Sequence, residues 1–135
     1  MQSSSKKAKN IAENNNAALL FNWSAQQVRI EGKVYKVDQK TAEEYFLSRP
    51  EQSRIISILS RQSQVLENEE SFLQSIKNYQ QTNSKKQVTK PDYWHGFCIK
   101  PKSIEFWQEG QYRCHKRLLY KLQESGKWEI FKLYP

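Results

Sequence analysis

Apolar and polar positions along the chain change period several times, and the changes mark out the elements. Ala17-Ala18-Leu19-Leu20-Phe21 is an almost uninterrupted apolar run, which predicts a buried strand. From Gln27 to Val37 the pattern alternates, with Val28, Ile30 and Val34 on one face and Gln27 on the other. Trp23 to Gln26 is then a turn joining the two strands in a hairpin. Ser3 to Ala8 opens a short helix with a serine cap and a small apolar stripe of Ala8, Ile11 and Ala12, and Asn14-Asn15-Asn16 ends it. Asp38 caps a helix to Ser48, which Pro50 limits. Further helices are expected over Ser53 to Ser60 and Glu67 to Gln81, the latter burying Phe72, Leu73, Ile76 and Tyr79. Thr82 to Lys90 reads as a polar, basic loop and Tyr93 to Gly96 as an aromatic turn. Phe97–Lys100 and Ser103–Gln108 read as strands separated by Pro101. Gly110 turns the chain into a strand running through Leu122, and a turn at Glu124 to Lys127 leads to a return strand, Trp128–Leu133. About six strands and three helices, mostly in hairpins, predict a mainly β domain with flanking helices, a small antiparallel barrel.

Three places in this pattern carry candidate chemistry. Arg113, His115 and Arg117 alternate after Gly110 and would share one strand face. They read either as a solvated edge or as a site for phosphate or carboxylate, which a planar guanidinium matches. Trp107 would stand beside them as an aromatic wall. Tyr45 and Arg49 are spaced i, i+4 with Ser53 just past Pro50, which reads either as a surface stack or as a phosphate clamp. Lys6 and Lys7 lie in a first helical turn, where cations oppose the helix dipole. The start is then either frayed or the seat of a bound anion.

Composition narrows the partners. The chain of 135 residues is expected to form one domain, residues 1–135, with 37% hydrophobic and 13% aromatic residues and a net charge of +8. Aromatics at that level mark a folding chain, and the charge suits an anionic partner. The basic residues are scattered and no zinc-finger or RNP-type motif is present, so nucleic acid is not the expected partner. With no apolar run long enough to span a bilayer and no signal-peptide core, a cytoplasmic protein without membrane contact is expected. Cys98 and Cys114 lack CxxC spacing and read as buried free thiols. His95 and His115 have no acidic or cysteine cluster beside them, so no metal site is expected.

Taken together the segments resemble the pyridoxamine 5'-phosphate oxidase family. They are Ser5 to Ala8, Ala17 to Trp23, Gln27 to Gly32, Tyr45-Phe46 with Arg49-Pro50 and Ser53, Gln62-Ser63, Pro91 to Gly96, Ile104 to Gln108, Arg113-x-His115-x-Arg117 and the ending Leu133-x-Pro135. The resemblance implies a split β-barrel, an FMN cofactor and a homodimer with FMN at its interface. It implies oxidation of pyridoxamine or pyridoxine 5'-phosphate to pyridoxal 5'-phosphate, by hydride transfer to the flavin and reoxidation by oxygen. By the same resemblance Lys6, Lys7, Gln27, Gln62, Ser63, Trp107 and Arg117 contact FMN. Tyr45, Arg49 and Ser53 take the substrate phosphate, and Arg113 and His115 lie over the substrate ring as the catalytic pair.

Against the family pattern the chain lacks the first barrel strands and would form the C-terminal two-thirds of the barrel. Ile56-Ser57-Ile58 stand where Gly-Ala-Trp is usual, Lys116 stands for an Asp, Gln26 for an Arg and His95 for a Gly. The stretch from Trp23 to Gln27 is shortened. A truncated, catalytically degenerate member that at most binds flavin or pyridoxal phosphate is therefore the alternative expectation.

Overall fold

The computed structural model of the chain describes residues 1–83 and 87–135. The middle of the expected Thr82 to Lys90 loop lies outside the described residues. The chain forms two compact units: a helical unit of Met1–Asn14 and Lys36–Phe97, and a sheet unit of Asn15–Tyr35 and Cys98–Pro135.

The helical unit contains α1 (Lys6–Glu13), α2 (Gln39–Ser48), α3 (Glu51–Leu59) and α4 (Glu69–Thr82). Their starts follow side-chain chemistry. Ser5 Oγ accepts from the Ala8 N–H at 3.3 Å, Asp38 Oδ1 from Thr41 at 2.8 Å and Asn68 Oδ1 from Ser71 at 2.8 Å. Pro50 precedes α3, so that helix begins at Glu51 rather than at Ser53. Phe46, Ile55, Ile76, Ala42, Val88 and Trp94 form the core. Phe46 is wholly buried and meets Trp94 edge-on at 5.2 Å. Leu73, expected in the buried stripe of α4, is exposed. Phe72, Ile76 and Tyr79 fill the stripe that packs on this core.

The sheet unit carries an antiparallel sheet in the order β1 (Asn16–Trp23), β2 (Gln26–Lys36), β3 (Phe97–Gln108), β4 (Lys116–Leu122) and β5 (Trp128–Leu133). There are five strands rather than six, because β3 runs straight through Pro101. Gly32 of β2 makes that passage possible: a Cβ there would collide with the Lys100 carbonyl and lie 2.9 Å from Pro101 Cα. β1 and β2 close at Trp23↔Gln26 over the two residues Ser24 and Ala25, within the turn expected over Trp23 to Gln26.

β1 is a strand, but it is not buried. Leu20, Phe21 and Trp23 are 62%, 44% and 56% exposed. An uninterrupted apolar run implies that both faces are covered, and β1 is an edge strand whose faces this chain leaves open. Cys98 and Cys114 are free, as expected, but exposed rather than buried. Cys98 points away from the covered face of β3, and Cys114 lies in a connecting turn.

Candidate functional site

The expected cationic strand face after Gly110 does not form. Gly110 sits so close to the Cys114 carbonyl that any Cβ would collide with it. The chain makes a tight turn over Gln111–Arg113, with Tyr112 and Arg113 left-handed at φ 54° and 63°, and β4 begins only at Lys116. Arg113 is therefore an exposed turn residue rather than a strand neighbour of Arg117. Left-handed backbone is unfavourable for residues with a Cβ and concentrates where geometry is functionally fixed.

The other residues of this hairpin do converge. Trp107 pairs with Arg117 in the β3–β4 register. The His115 ring lies 4.7 Å from the Trp107 ring, tilted by 41°. Gly110 N–H donates to His115 Nδ1 at 3.3 Å, so a neutral His115 carries its proton on Nε2. Arg117 is held by two acceptors: its Nε donates to Glu105 Oε1 at 2.7 Å and its Nη1 to the Tyr134 carbonyl at 3.1 Å. The Glu105 hydrogen bond, with the carboxylate's charge, raises the Arg117 pKa above the ordinary arginine value. Gln27 lines a cavity of about 250 Å³ with Trp107, Gln26, Trp23 and Lys116. Gln27 and Trp107, two of the expected flavin contacts, thus border one cavity.

In the helical unit two further groups assemble. The Lys6 N–H, at the start of α1, donates to Ser63 Oγ at 3.2 Å, with Ser63 left-handed at φ 69°. Gln62 is locked to Gln2 reciprocally: Gln2 N–H donates to Gln62 Oε1 at 3.0 Å, and Gln62 N–H to Gln2 Oε1 at 3.1 Å. The buried Gln2 amide also donates to the Ser57 and Ser60 carbonyls at 3.1 and 2.5 Å. Lys6 and Ser63, far apart in sequence, therefore meet at the start of α1, and Gln62, next to Ser63, is anchored through Gln2.

The second group is built on Trp94. Tyr45 stacks on its ring at 6.2 Å and Arg49 Cζ lies 5.8 Å from its centre. Tyr45 and Trp94 line a cavity of about 460 Å³ together with Lys7, Thr41 and His95. Ser53 lies in the first turn of α3, half-buried. Among the described residues the ion pairs are Arg29–Glu31, Lys40–Glu44 and Arg117–Glu105. Lys6, Lys7 and Arg49 thus have no carboxylate partner. Among the described residues no cluster of metal-ligating side chains occurs, and no helix is long and apolar enough to cross a membrane.

Three residues with structural weight at these sites were not singled out from the sequence: Gln2, Glu105 and Trp94. Glu105 carried a readable signal, since it is an acid two positions from Trp107 in a strand paired with a cationic one. Gln2 carried none.

Comparison with known proteins decides the family. Residues 2–83 match the family described as pyridoxamine 5'-phosphate oxidase, and residues 94–135 the pyridoxine 5'-phosphate oxidase C-terminal dimerisation region. The chain belongs to the pyridoxamine 5'-phosphate oxidase family. It is 46% identical over 133 residues to the pyridoxine/pyridoxamine 5'-phosphate oxidase of Wolbachia pipientis, covering 97% of this chain and 62% of that protein. It is 43% identical over 135 residues to the enzyme of the same name from Ehrlichia chaffeensis, covering 97% of this chain and 68% of that one. The chain thus spans about two-thirds of the length of these relatives. Among solved structures it shares the fold of PhzG from Burkholderia lata in complex with tetrahydrophenazine-1-carboxylic acid. The TM-score is 0.90 at 23% identity, over 100% of this chain and 66% of that one. A pyridoxamine 5'-phosphate oxidase-related, FMN binding protein from Nostoc punctiforme matches with TM-score 0.77 at 15% identity, over 100% and 71%. The five-stranded sheet with its helices is thus a split-barrel fold of this family.

Proposed function

We propose that the chain, with residues 1–135 as one domain, is the FMN-binding and substrate-binding part of an oxidase. It converts pyridoxamine or pyridoxine 5'-phosphate to pyridoxal 5'-phosphate in the cytoplasm, with oxygen as acceptor. The observation that carries the reading is that Lys7 lines a cavity with Tyr45 and Trp94 while Arg49 lies over the Trp94 ring, neither with a carboxylate partner among the described residues, and that the Lys6 backbone N–H meets Ser63 at a helix start. Cofactor and substrate each bring one phosphate. Unpaired cations self-repel and are stabilised by an anionic ligand.

The residues fit FMN by their donor chemistry. Lys6, Lys7 and Ser63 would hold its phosphate, while Gln27, Gln62, Trp107 and Arg117 would contact the rest of the cofactor. When bound, FMN supplies the hydride acceptor and its reoxidation by oxygen. The protein's own share is positional. Tyr45, Arg49 and Ser53 hold the substrate phosphate. Arg113 presents a guanidinium from a strained turn, and His115, fixed by Gly110 and Trp107, offers an oriented imidazole to the substrate ring. No covalent nucleophile is required.

A homodimer fits the apolar surface of the sheet unit. Leu20, Phe21, Trp23, Ile130 and Phe131 are each more than 40% exposed, which is unusual for a lone subunit.

A coupled peroxide assay with FMN and either pyridoxamine or pyridoxine 5'-phosphate tests the activity. Substrate-dependent peroxide supports it. Flavin retention without peroxide from either substrate would replace it with the reading of a degenerate flavin binder.

A further inference from the structure

His95 follows the buried Trp94 and is itself half-buried. It lines the same cavity as Lys7, Thr41, Tyr45 and Trp94. Lys36, at the end of β2, places Nζ 3.3 Å from His95 Nε2. A lysine ammonium is a donor only, so Nε2 accepts, and the imidazole is neutral with its proton on Nδ1. The pair therefore has an N–H donor on the ring and two further ammonium hydrogens to offer.

The surroundings are positive from several directions. Lys90 Nζ donates to the Trp94 and Pro91 carbonyls, both at 3.3 Å. Arg49 lies over the Trp94 ring, 5.8 Å from its centre. From α2, Thr41 and Tyr45 face the cavity, both uncharged. Among the described residues no carboxylate pairs with Lys7, Lys36, Arg49 or Lys90. Burial first, and then the charges of Lys36 and Lys90, lower the His95 pKa below the ordinary histidine value.

We propose that His95, which lines the Tyr45–Trp94 cavity, and the exposed Lys36 hydrogen-bonded to it form an anion-binding pair at that cavity, and that this pair takes the phosphate monoester of the bound ligand. The inference rests on the reading of the chain as a binder of phosphorylated ligands. It adds two residues to that site, and it commits to the phosphate rather than to the ring.

The test is a calorimetric titration of the full chain and of the variants His95→Gly and Lys36→Met. Pyridoxine 5'-phosphate, pyridoxine, FMN and riboflavin are the ligands. Lys36 is exposed, so its variant should fold even if removal of the imidazole disturbs the cavity; circular dichroism checks both. A charge-assisted hydrogen bond lost from each variant weakens binding by about tenfold or more. Loss for pyridoxine 5'-phosphate but not pyridoxine places the substrate phosphate on the pair. Loss for FMN but not riboflavin places the cofactor phosphate there. Wild-type binding of both phosphorylated ligands with no change in either folded variant overturns the proposal alone, as does equal loss for phosphorylated and unphosphorylated partners. If the wild-type chain binds neither phosphorylated ligand, the proposed function falls and the pair's role with it.

Discussion

Replacing Gln2 by leucine is the sharpest test of how the helical unit positions its site. Leucine keeps most of the volume and removes the amide. Three bonds go: the two from Nε2 to the Ser57 and Ser60 carbonyls and the one that Oε1 accepts from the Gln62 N–H. Gln2 is buried, with 4% of its surface exposed, so water cannot fully replace them. Leaving a buried polar group unpaired costs about 1–3 kcal/mol. Two of the three partners are only partly buried, which puts the total near the lower end, about 2–4 kcal/mol. That is a large share of a stability of about 5–15 kcal/mol. Urea denaturation followed by circular dichroism reads the stability. The same change frees the Gln62-Ser63 segment that meets Lys6, so retention of added FMN should fall as well. A loss under about 0.5 kcal/mol, with flavin retention unchanged, would refute the view that Gln2 holds this segment.

Three further expectations follow from the same geometry. Phe46→Ala empties a wholly buried site against Trp94 and should cost about 3–5 kcal/mol in denaturant unfolding. Arg113→Ala should lower kcat/KM for the phosphorylated substrate by about tenfold or more while leaving FMN retention unchanged; Arg117→Ala, which vacates a position fixed by Glu105 and Tyr134, should do the reverse. His95 has a folded-state pKa below its unfolded one. The unfolded chain thus binds more protons in that window, and its contribution to stability is complete above about pH 6.5 and lost as pH falls through the lowered value. Denaturation midpoints of the wild type should therefore fall on acidification through this range more steeply than those of His95→Gln.

Much of the fold was legible because it rests on local chemistry. The caps Ser5 and Asp38, the turn before Trp128 and the strand Trp128–Leu133 all stand where residue type and period put them. Misreadings arose where a distant or missing neighbour decides. Pro101 looked like a strand break because the glycine that accommodates it, Gly32, lies far back in the sequence. The apolar run of β1 implied burial, yet burial depends on what covers the sheet, and within the sheet unit Leu20, Phe21 and Trp23 stay exposed. Arg113, His115 and Arg117 alternate in sequence. The turn expected at Gly110 nonetheless continues through Gln111–Arg113, and the close approach of Gly110 to Cys114 that goes with it is invisible to periodicity. At the candidate site, the types Lys, Arg, Tyr and Ser at fixed spacings were readable. The residues that hold them were not: Gln2 acts through backbone carbonyls, and Trp94 through the faces of its ring.

The central claim is that this chain binds FMN, and a spectrum tests it most directly. Purified protein is incubated with FMN, desalted and scanned in the visible range. The account predicts flavin absorbance close to one FMN per chain, lost in Arg117→Ala. A colourless protein after desalting, from a sample that circular dichroism shows to be folded, would contradict it.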